Sequence, residues 1–419
     1  MQIIIKYEKV PYFLLIALAF FPILPYGVIS AITIIYVIAT LLIFRRNLFE
    51  NFQKKRVLLL ITNTLFFVLF AFTFIYSENK ELAYKEIIKN LNFLIFPTLL
   101  ILFFPKLSKD KIDKVFKSFV LSNLTLLLIL LIAFANKIIF QGGNLTFSNF
   151  LFRDLLIGGT YLDLHPTYVS LWFAFSIQYL ILNFFTLTSR LHKFVILLIS
   201  VLFYFTIILL ASRTVFLAIN IILILNIIIK FKTYRITRTQ ILFFLSFLSF
   251  IIFIKDFKNI HHRFYTEIAS FQFNNPMGRN PTSLDIRYGI YKCNIKLFCE
   301  EPIFGYGIGD VQESLNNCYK IYRTSVFKWK KMDSHNYFFF LLIGGGLISL
   351  FTFLFMIFSN FKKAYSEKDL FFLSFLILII FCCLTENLLN RVHGNLFFSL
   401  FNSLFIYKLL IQEENNAVN

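Results

Sequence analysis

Along most of its length the chain alternates between long apolar runs and short polar connections. Runs of about 20 mainly apolar residues recur from Pro11 to Leu410, and each is long enough to carry a helix through a hydrocarbon core about 30 Å thick. The pattern predicts spans at roughly 11–24, 27–44, 57–76, 87–104, 116–135, 166–185 and 194–211. Five more follow at roughly 214–229, 239–255, 336–359, 369–385 and 395–412. The first, fourth and eleventh are short or interrupted by Pro22 or Pro97, and proline breaks or kinks a helix interior. Backbone groups in lipid must be satisfied within the segment, so the fold class is an all-α polytopic transmembrane bundle of about twelve helices. Apolar segments spread over the whole chain exclude a lone signal peptide or a single anchor.

Two connections are longer than the rest. Residues 136–165 contain Gly142, Gly143, Gly158 and Gly159, and residues 256–335 form the only large polar stretch. In the second, Ser283–Cys299 predicts a helix that stops at Glu301-Pro302. Gly305-Tyr306-Gly307-Ile308-Gly309 follows as a turn or tight loop. The expected organisation is therefore spans one to nine over 1–255, a partly helical loop domain over 256–335, three spans over 336–412, and a tail over 413–419. The loop domain should form a small cap without an independent hydrophobic core.

Composition agrees with this pattern. Of 419 residues, 58% are hydrophobic and 15% charged, with a mean hydropathy of +0.75, which leaves too few charges to cover a water-soluble surface. The net charge of +19 would raise the question of nucleic acid in a soluble protein. Here the basic residues lie between apolar runs, so they read as membrane topology and attraction to anionic lipid headgroups, and no nucleic acid is expected. Arg45, Arg46, Lys54, Lys55 and Arg56 follow the second span, Lys106 to Lys114 the fourth, Lys230 to Arg238 the eighth, and Lys362 and Lys363 the tenth. About twelve spans with both termini in the cytoplasm put every strong basic cluster on the cytoplasmic side. Five cysteines without zinc-like spacing argue against a disulfide scaffold or a metal site, although Cys293 can pair with Cys318 or Cys299 in an extracytoplasmic loop.

That topology singles out ionisable groups at the outer face, where polar residues beside spans are costly and often functional. Arg213, in Ala211-Ser212-Arg213-Thr214, sits between two spans with almost no loop. It is either an arginine snorkelling to headgroups or an anion clamp, since guanidinium matches phosphate oxygens bidentately. Arg287 lies on the expected loop helix, where a plain surface arginine is the alternative; Arg279 and Arg323 are weaker candidates of the same kind. His335, in Asp333-Ser334-His335-Asn336-Tyr337, starts the tenth span, with Ser334 or Asp333 as the expected cap. Gly344-Gly345-Gly346 further along would allow a bend or a close helix approach. His165 precedes Pro166, which opens the sixth span. Glu386 and Arg391 form a last cluster with Asn387, Asn390 and His393, and Glu386 and Arg391 can simply neutralise one another. No HExxH, Walker loop or CxxC is present, and Gly305–Gly309 is too short a glycine pattern for a nucleotide site. Together these groups describe an outward-facing pocket suited to a long lipid carrying a phosphate or diphosphate.

On Ala211-Ser212-Arg213-Thr214, on Arg287-Tyr288-Gly289-Ile290-Tyr291 through Glu301-Pro302 to Gly309, and on His335-Asn336 before Gly344-Gly345-Gly346, the chain resembles the O-antigen ligase and polymerase family of bacterial polytopic membrane proteins. The resemblance implies an inner-membrane enzyme, active at the periplasmic face, that moves a glycan from undecaprenyl diphosphate to an acceptor sugar. The acceptor would be lipid A–core oligosaccharide for a ligase, or a second lipid-linked glycan for a polymerase. It implies that Arg213 and Arg287 hold the donor diphosphate, that His335 stands near the acceptor hydroxyl, and that neither cofactor nor metal is needed. The chemistry adds His335 as general base with Glu386 in reserve or orienting it, and inversion at the anomeric carbon. His165, Tyr291, Asn336 and Arg391 are acceptor-side candidates; Tyr291 stands where a tryptophan is expected in the family. The compact outer loop leans towards ligase over polymerase. A transporter of lipid-linked glycans is the non-enzymatic alternative, disfavoured because the candidate charges gather on one face.

Overall fold

The computed structural model describes residues 9–140, 152–156, 164–184, 188–231, 261, 266–269, 272–278, 281–329 and 332–418. These residues are helical without strands, and eight helices are long and apolar enough to cross a membrane, with two shorter apolar helices beside them. The first half contains α1 (Val10–Leu18), α2 (Tyr26–Asn51), α3 (Lys54–Phe72), α4 (Lys80–Asn90), α5 (Asn92–Thr98) and α6 (Lys109–Phe140). There follow α7 (Pro166–Phe184), α8 (Arg190–Leu209) and α9 (Arg213–Phe231), the cap helices α10 (Ser283–Glu300) and α11 (Val311–Tyr319), then α12 (Tyr337–Ser366), α13 (Leu370–Cys383) and α14 (Val392–Val418). The span expected at 239–255, Arg279, and most of the connection at 136–165 lie outside the described residues.

Where the expected pattern breaks, proline or glycine is the cause. The run at 11–24 is a nine-residue helix followed by a 3-10 turn over Phe21–Ile23, because Pro22 and Pro25 prevent continuation. Pro97 sits inside α5, and Leu99–Phe103 take a π turn. Carbonyls freed by the irregular turns need partners in an apolar setting. Arg56 donates to Ile101 O (2.7 Å), Asn51 to Leu102 O (2.9 Å) and Asn47 to Phe103 O (3.0 Å).

The bundle is organised around α7 and α14. Every residue of α7 from Pro166 to Ile181 is buried, whereas α2 exposes Ile34, Ile35, Ile38 and Leu42, an apolar face suited to lipid. Asparagines tie helices together across the interior. Asn360 donates to Asn63 (2.8 Å) and Asn402 (3.1 Å), joining α3, α12 and α14, and Asn395 donates to Asn90 (2.8 Å).

The cap is bound to the bundle rather than standing on its own core. Its helix α10 starts with a reciprocal cap between Thr282 and Asp285 and ends one residue beyond the expected Cys299. A Cys293–Cys318 disulfide joins α10 to α11, and Asp310 accepts the backbone N–H groups of Glu78 (2.8 Å) and Asn79 (2.9 Å) from the α3–α4 turn. The two glycine segments meet. Tyr306 N donates to Ile343 O (2.8 Å), Gly307 N to Gly344 O (3.0 Å) and Leu347 N to Pro302 O (2.9 Å), so the loop supplies partners where α12 breaks at Gly345 and Gly346. Gly346 has φ 61°, and a Cβ there would overlap Ile303 O.

Candidate active site

The site is built around the turn that ends α13. Leu384 O accepts from Tyr291 Oη (3.2 Å) and Asn336 Nδ2 (2.9 Å). Thr385 O accepts from Arg287 NH1 (2.7 Å), and Glu386 Oε1 from Arg287 NH2 (2.6 Å). Three consecutive residues thus collect the cap helix α10 and the start of α12. The start of α9 joins them, because Thr214 and Thr385 hydroxyls lie 2.7 Å apart. Arg213, one residue earlier, heads α9 after a tight turn in which Ala211 adopts φ 51°.

His335 does not occupy the first turn of α12, and neither Ser334 nor Asp333 caps it. Asn336 is the cap, accepting from Phe339 N (3.1 Å), and His335 precedes it with φ 45°. Several bonds fix this left-handed backbone, which non-glycine residues rarely adopt. His335 N donates to Asp333 Oδ1 (2.9 Å), Ser334 Oγ to Asn336 O (2.8 Å), and Asn294 Nδ2 to Ser334 O (2.9 Å). The result turns the imidazole towards the α13 turn, with Nδ1 3.4 Å from Glu386 Oε2 and 3.8 Å from Asp333 Oδ1. Strain held by so many contacts is a feature of functional sites.

Glu386 does not neutralise Arg391. It pairs with Arg287, while Arg391 NH2 donates to Asp333 Oδ2 (2.9 Å). Two carboxylates thus flank His335, each held by a different arginine. Burial alone would raise the Glu386 carboxyl, but its bond with His335 and the charges of Arg287, His335 and His165 outweigh it and lower the pKa to about 2. Burial likewise works against the Arg287 guanidinium, and Glu386 more than offsets it, so that its pKa is raised. His165 stands just before α7 and belongs to the same electrostatic group. Burial lowers its pKa, with Arg391, Arg153 and His335 pushing the same way and Glu386 opposing. Its burial thus favours the neutral imidazole, and its Nδ1 faces Thr167 N at 3.4 Å.

All eight candidate residues therefore gather at one end of the bundle: Arg213, Arg287, His335 and Glu386 around the 384–386 turn, Tyr291 and Asn336 on its Leu384 carbonyl, and Arg391 and His165 beside it. Arg323 is exposed, and its carbonyl serves Gly278 N (3.0 Å). Asp333 and Thr385 were not singled out as functional groups by sequence reasoning. The polar triplet Thr385-Glu386-Asn387 closing the apolar α13 was the signal for the second; Asp333 had none beyond its place beside His335. Among the described residues, no group of three His, Cys, Asp or Glu side chains is arranged to hold a metal ion. The arrangement offers a histidine backed by a carboxylate, beside the guanidinium groups of Arg287 and Arg391.

Residues 194–354 match the family model described as O-antigen ligase. The matched stretch contains Arg213, Arg287, Tyr291, His335 and Asn336, and leaves His165, Glu386 and Arg391 outside it. No curated protein matches the chain.

Proposed function

We propose, from the premise that residues 194–354 are an O-antigen ligase family segment, that this membrane glycosyltransferase moves a glycan from undecaprenyl diphosphate to lipid A–core oligosaccharide at the periplasmic face of the inner membrane. The observation that carries the reading is the convergence of Arg287, Glu386 and His335 on one turn, with the Arg213 end of α9 docked against it. The Cys293–Cys318 bridge in the cap supports an oxidising compartment on that side. Lys55, Arg56, Lys106 and Lys363 at the opposite end support a cytoplasmic location there.

In this mechanism Glu386 accepts Nδ1–H of His335, which leaves Nε2 with the lone pair. Nε2 takes the proton of an acceptor hydroxyl as that oxygen attacks the anomeric carbon of the donor. The bond from that carbon to the diphosphate oxygen breaks, the configuration inverts, and undecaprenyl diphosphate leaves. Arg287 is held by Thr385 O and Glu386, and its charge, together with that of Arg213, stabilises the departing diphosphate. Glu386 stabilises the imidazolium formed in the step and is not itself protonated, in keeping with its low pKa. The donor already carries its leaving group, so the balance needs no nucleotide.

Purified protein reconstituted with undecaprenyl-diphosphate-linked glycan and lipid A–core tests this. A single glycan-bearing lipid A–core product is expected without nucleotide or added metal. A ladder built on the lipid-linked donor would instead identify a polymerase, and no transfer by folded protein would reject the reading.

A further inference from the structure

A second cavity adjoins the His335 cluster on its Asp333 side. It has a volume of about 480 Å³, and its lining includes Tyr26, Glu86, Lys89, Asp333, Asn387 and Arg391. That volume lies within the usual range for small-ligand sites. Asp333 joins the two places: Oδ2 holds Arg391 on the cavity wall (2.9 Å), and Oδ1 lies 3.8 Å from the His335 ring.

The lining differs in charge from the Arg213–Arg287 side. Its four ionic groups balance, since Lys89 is held by Glu86 (2.6 Å) and Arg391 by Asp333 (2.9 Å). Neither cation is left as an unpaired clamp for a phosphate. Asn387 is 4% exposed, and its Oδ1 is buried without a hydrogen-bond partner. A buried acceptor of this kind calls for an incoming donor, and a sugar hydroxyl is one. The Tyr26 ring is half-exposed at the rim and anchored by its hydroxyl to His393 Nδ1 (2.8 Å), which leaves a flat apolar surface for the C–H face of a pyranose.

We infer that this cavity binds the acceptor's terminal sugar and selects an uncharged one over a phosphorylated one, an assignment that rests on the glycan-transfer reading above. The test uses the full chain in nanodiscs with undecaprenyl-diphosphate-linked glycan and two lipid A–core acceptors, one ending in a neutral hexose and one in the same hexose bearing a phosphate ester. The neutral acceptor should be used about tenfold better in kcat/KM. Asn387→Leu should raise the acceptor KM about fivefold to tenfold, with the donor KM unchanged. Leu82→Trp narrows the mouth from an exposed position and should raise the same KM without perturbing the fold. Equal use of both acceptors, or an acceptor KM unmoved in both variants while the parent transfers glycan, overturns this inference alone. No transfer by the parent to either acceptor overturns it together with the function on which it rests.

Discussion

Among the described residues the bundle carries two partly buried arginine–glutamate pairs, one near each end of α14, and they are opposites in design. At the inner end Arg56 is 2% exposed and meets Glu414 with two parallel bonds, Nε to Oε1 (2.8 Å) and NH2 to Oε2 (3.0 Å). Its NH1 closes the π turn on Ile101 O (2.7 Å), and Lys106 adds a further contact to Glu414 (3.1 Å). At the outer end Arg287 gives Glu386 a single bond (2.6 Å), the second carboxylate oxygen faces His335 at 3.4 Å, and the neighbouring backbone is left-handed. The inner pair commits three Arg56 nitrogens and both Glu414 oxygens to protein partners and holds helices together. The outer pair leaves its second carboxylate oxygen facing a histidine in a strained position, which is what a site that moves a proton requires. A buried ion pair is therefore informative through what it leaves unused.

The sharpest way to break the comparison is to substitute at the centre of each end. His335→Gly should lower transfer by about 10²–10⁴ through loss of the general base. Thermal stability should not fall, since relief of left-handed strain, roughly 1–3 kcal/mol, exceeds the entropic cost of glycine, about 0.5–1 kcal/mol. Arg56→Ala should do the reverse, destabilising by about 1–3 kcal/mol through the lost bonds to Glu414 and to the buried Ile101 carbonyl, while the molecules that stay folded keep their turnover. Melting curves read beside single-turnover transfer separate the two, and a His335→Gly protein with full activity would end its assigned role.

Next in size is Arg287→Ala, expected to cost transfer about 10²–10³ and also stability, because Glu386 loses its partner. Adding Glu386→Gln removes the stranded charge, so the double variant should regain stability without regaining activity. Recovery of both would mean that Arg287 serves only to neutralise Glu386. Glu386 itself has a folded-state pKa lowered from 4.5 to about 2. Its contribution to stability is thus complete above about 4.5 and is lost as pH falls towards 2. The difference in Tm between the parent and Glu386→Gln should accordingly shrink across that window; a constant difference would show that the carboxylate is not held in its ionised form.

Much of this arrangement was legible in the apolar pattern, and the omissions have a common cause. Eleven of the twelve expected spans correspond to helices or short helix sets among the described residues, because lipid demands long apolar runs, and the twelfth, at 239–255, lies outside those residues. The cap helix was readable from Ser283 to Glu301-Pro302, and the glycine segments announced a turn and a bend or close helix approach. What the pattern did not show was that these glycine segments bind each other, or that Arg287 holds Glu386 across 99 positions of sequence. Such contacts depend on which helices become neighbours, and local periodicity says nothing of that. The cap of α12 was misassigned because Asp333, Ser334 and Asn336 are all good capping residues; the left-handed turn at His335 decides for Asn336. The run at 11–24 is shortened because its prolines, noted in the sequence, weigh more than its hydrophobicity.

The smallest effects come from a matched control. Arg391–Asp333 and Lys55–Glu413 are ion pairs at opposite ends of α14, at 2.9 and 2.7 Å, with the cation 56% exposed in each and the carboxylate 18% and 22%. Pairs so open to solvent are worth about 0–1 kcal/mol and weaken with salt. Arg391→Gln and Lys55→Gln should therefore change thermal stability by equally small amounts. Their effects on transfer should nevertheless differ, because Asp333 touches the His335 backbone and ring while Glu413, among the described residues, pairs with Lys55 and Lys363 at the opposite end. Arg391→Gln should raise the acceptor KM a few-fold, and Lys55→Gln should leave both KM values and kcat unchanged. Identical kinetics in the two variants would mean that the outer pair, like the inner one, serves only to hold the surface together.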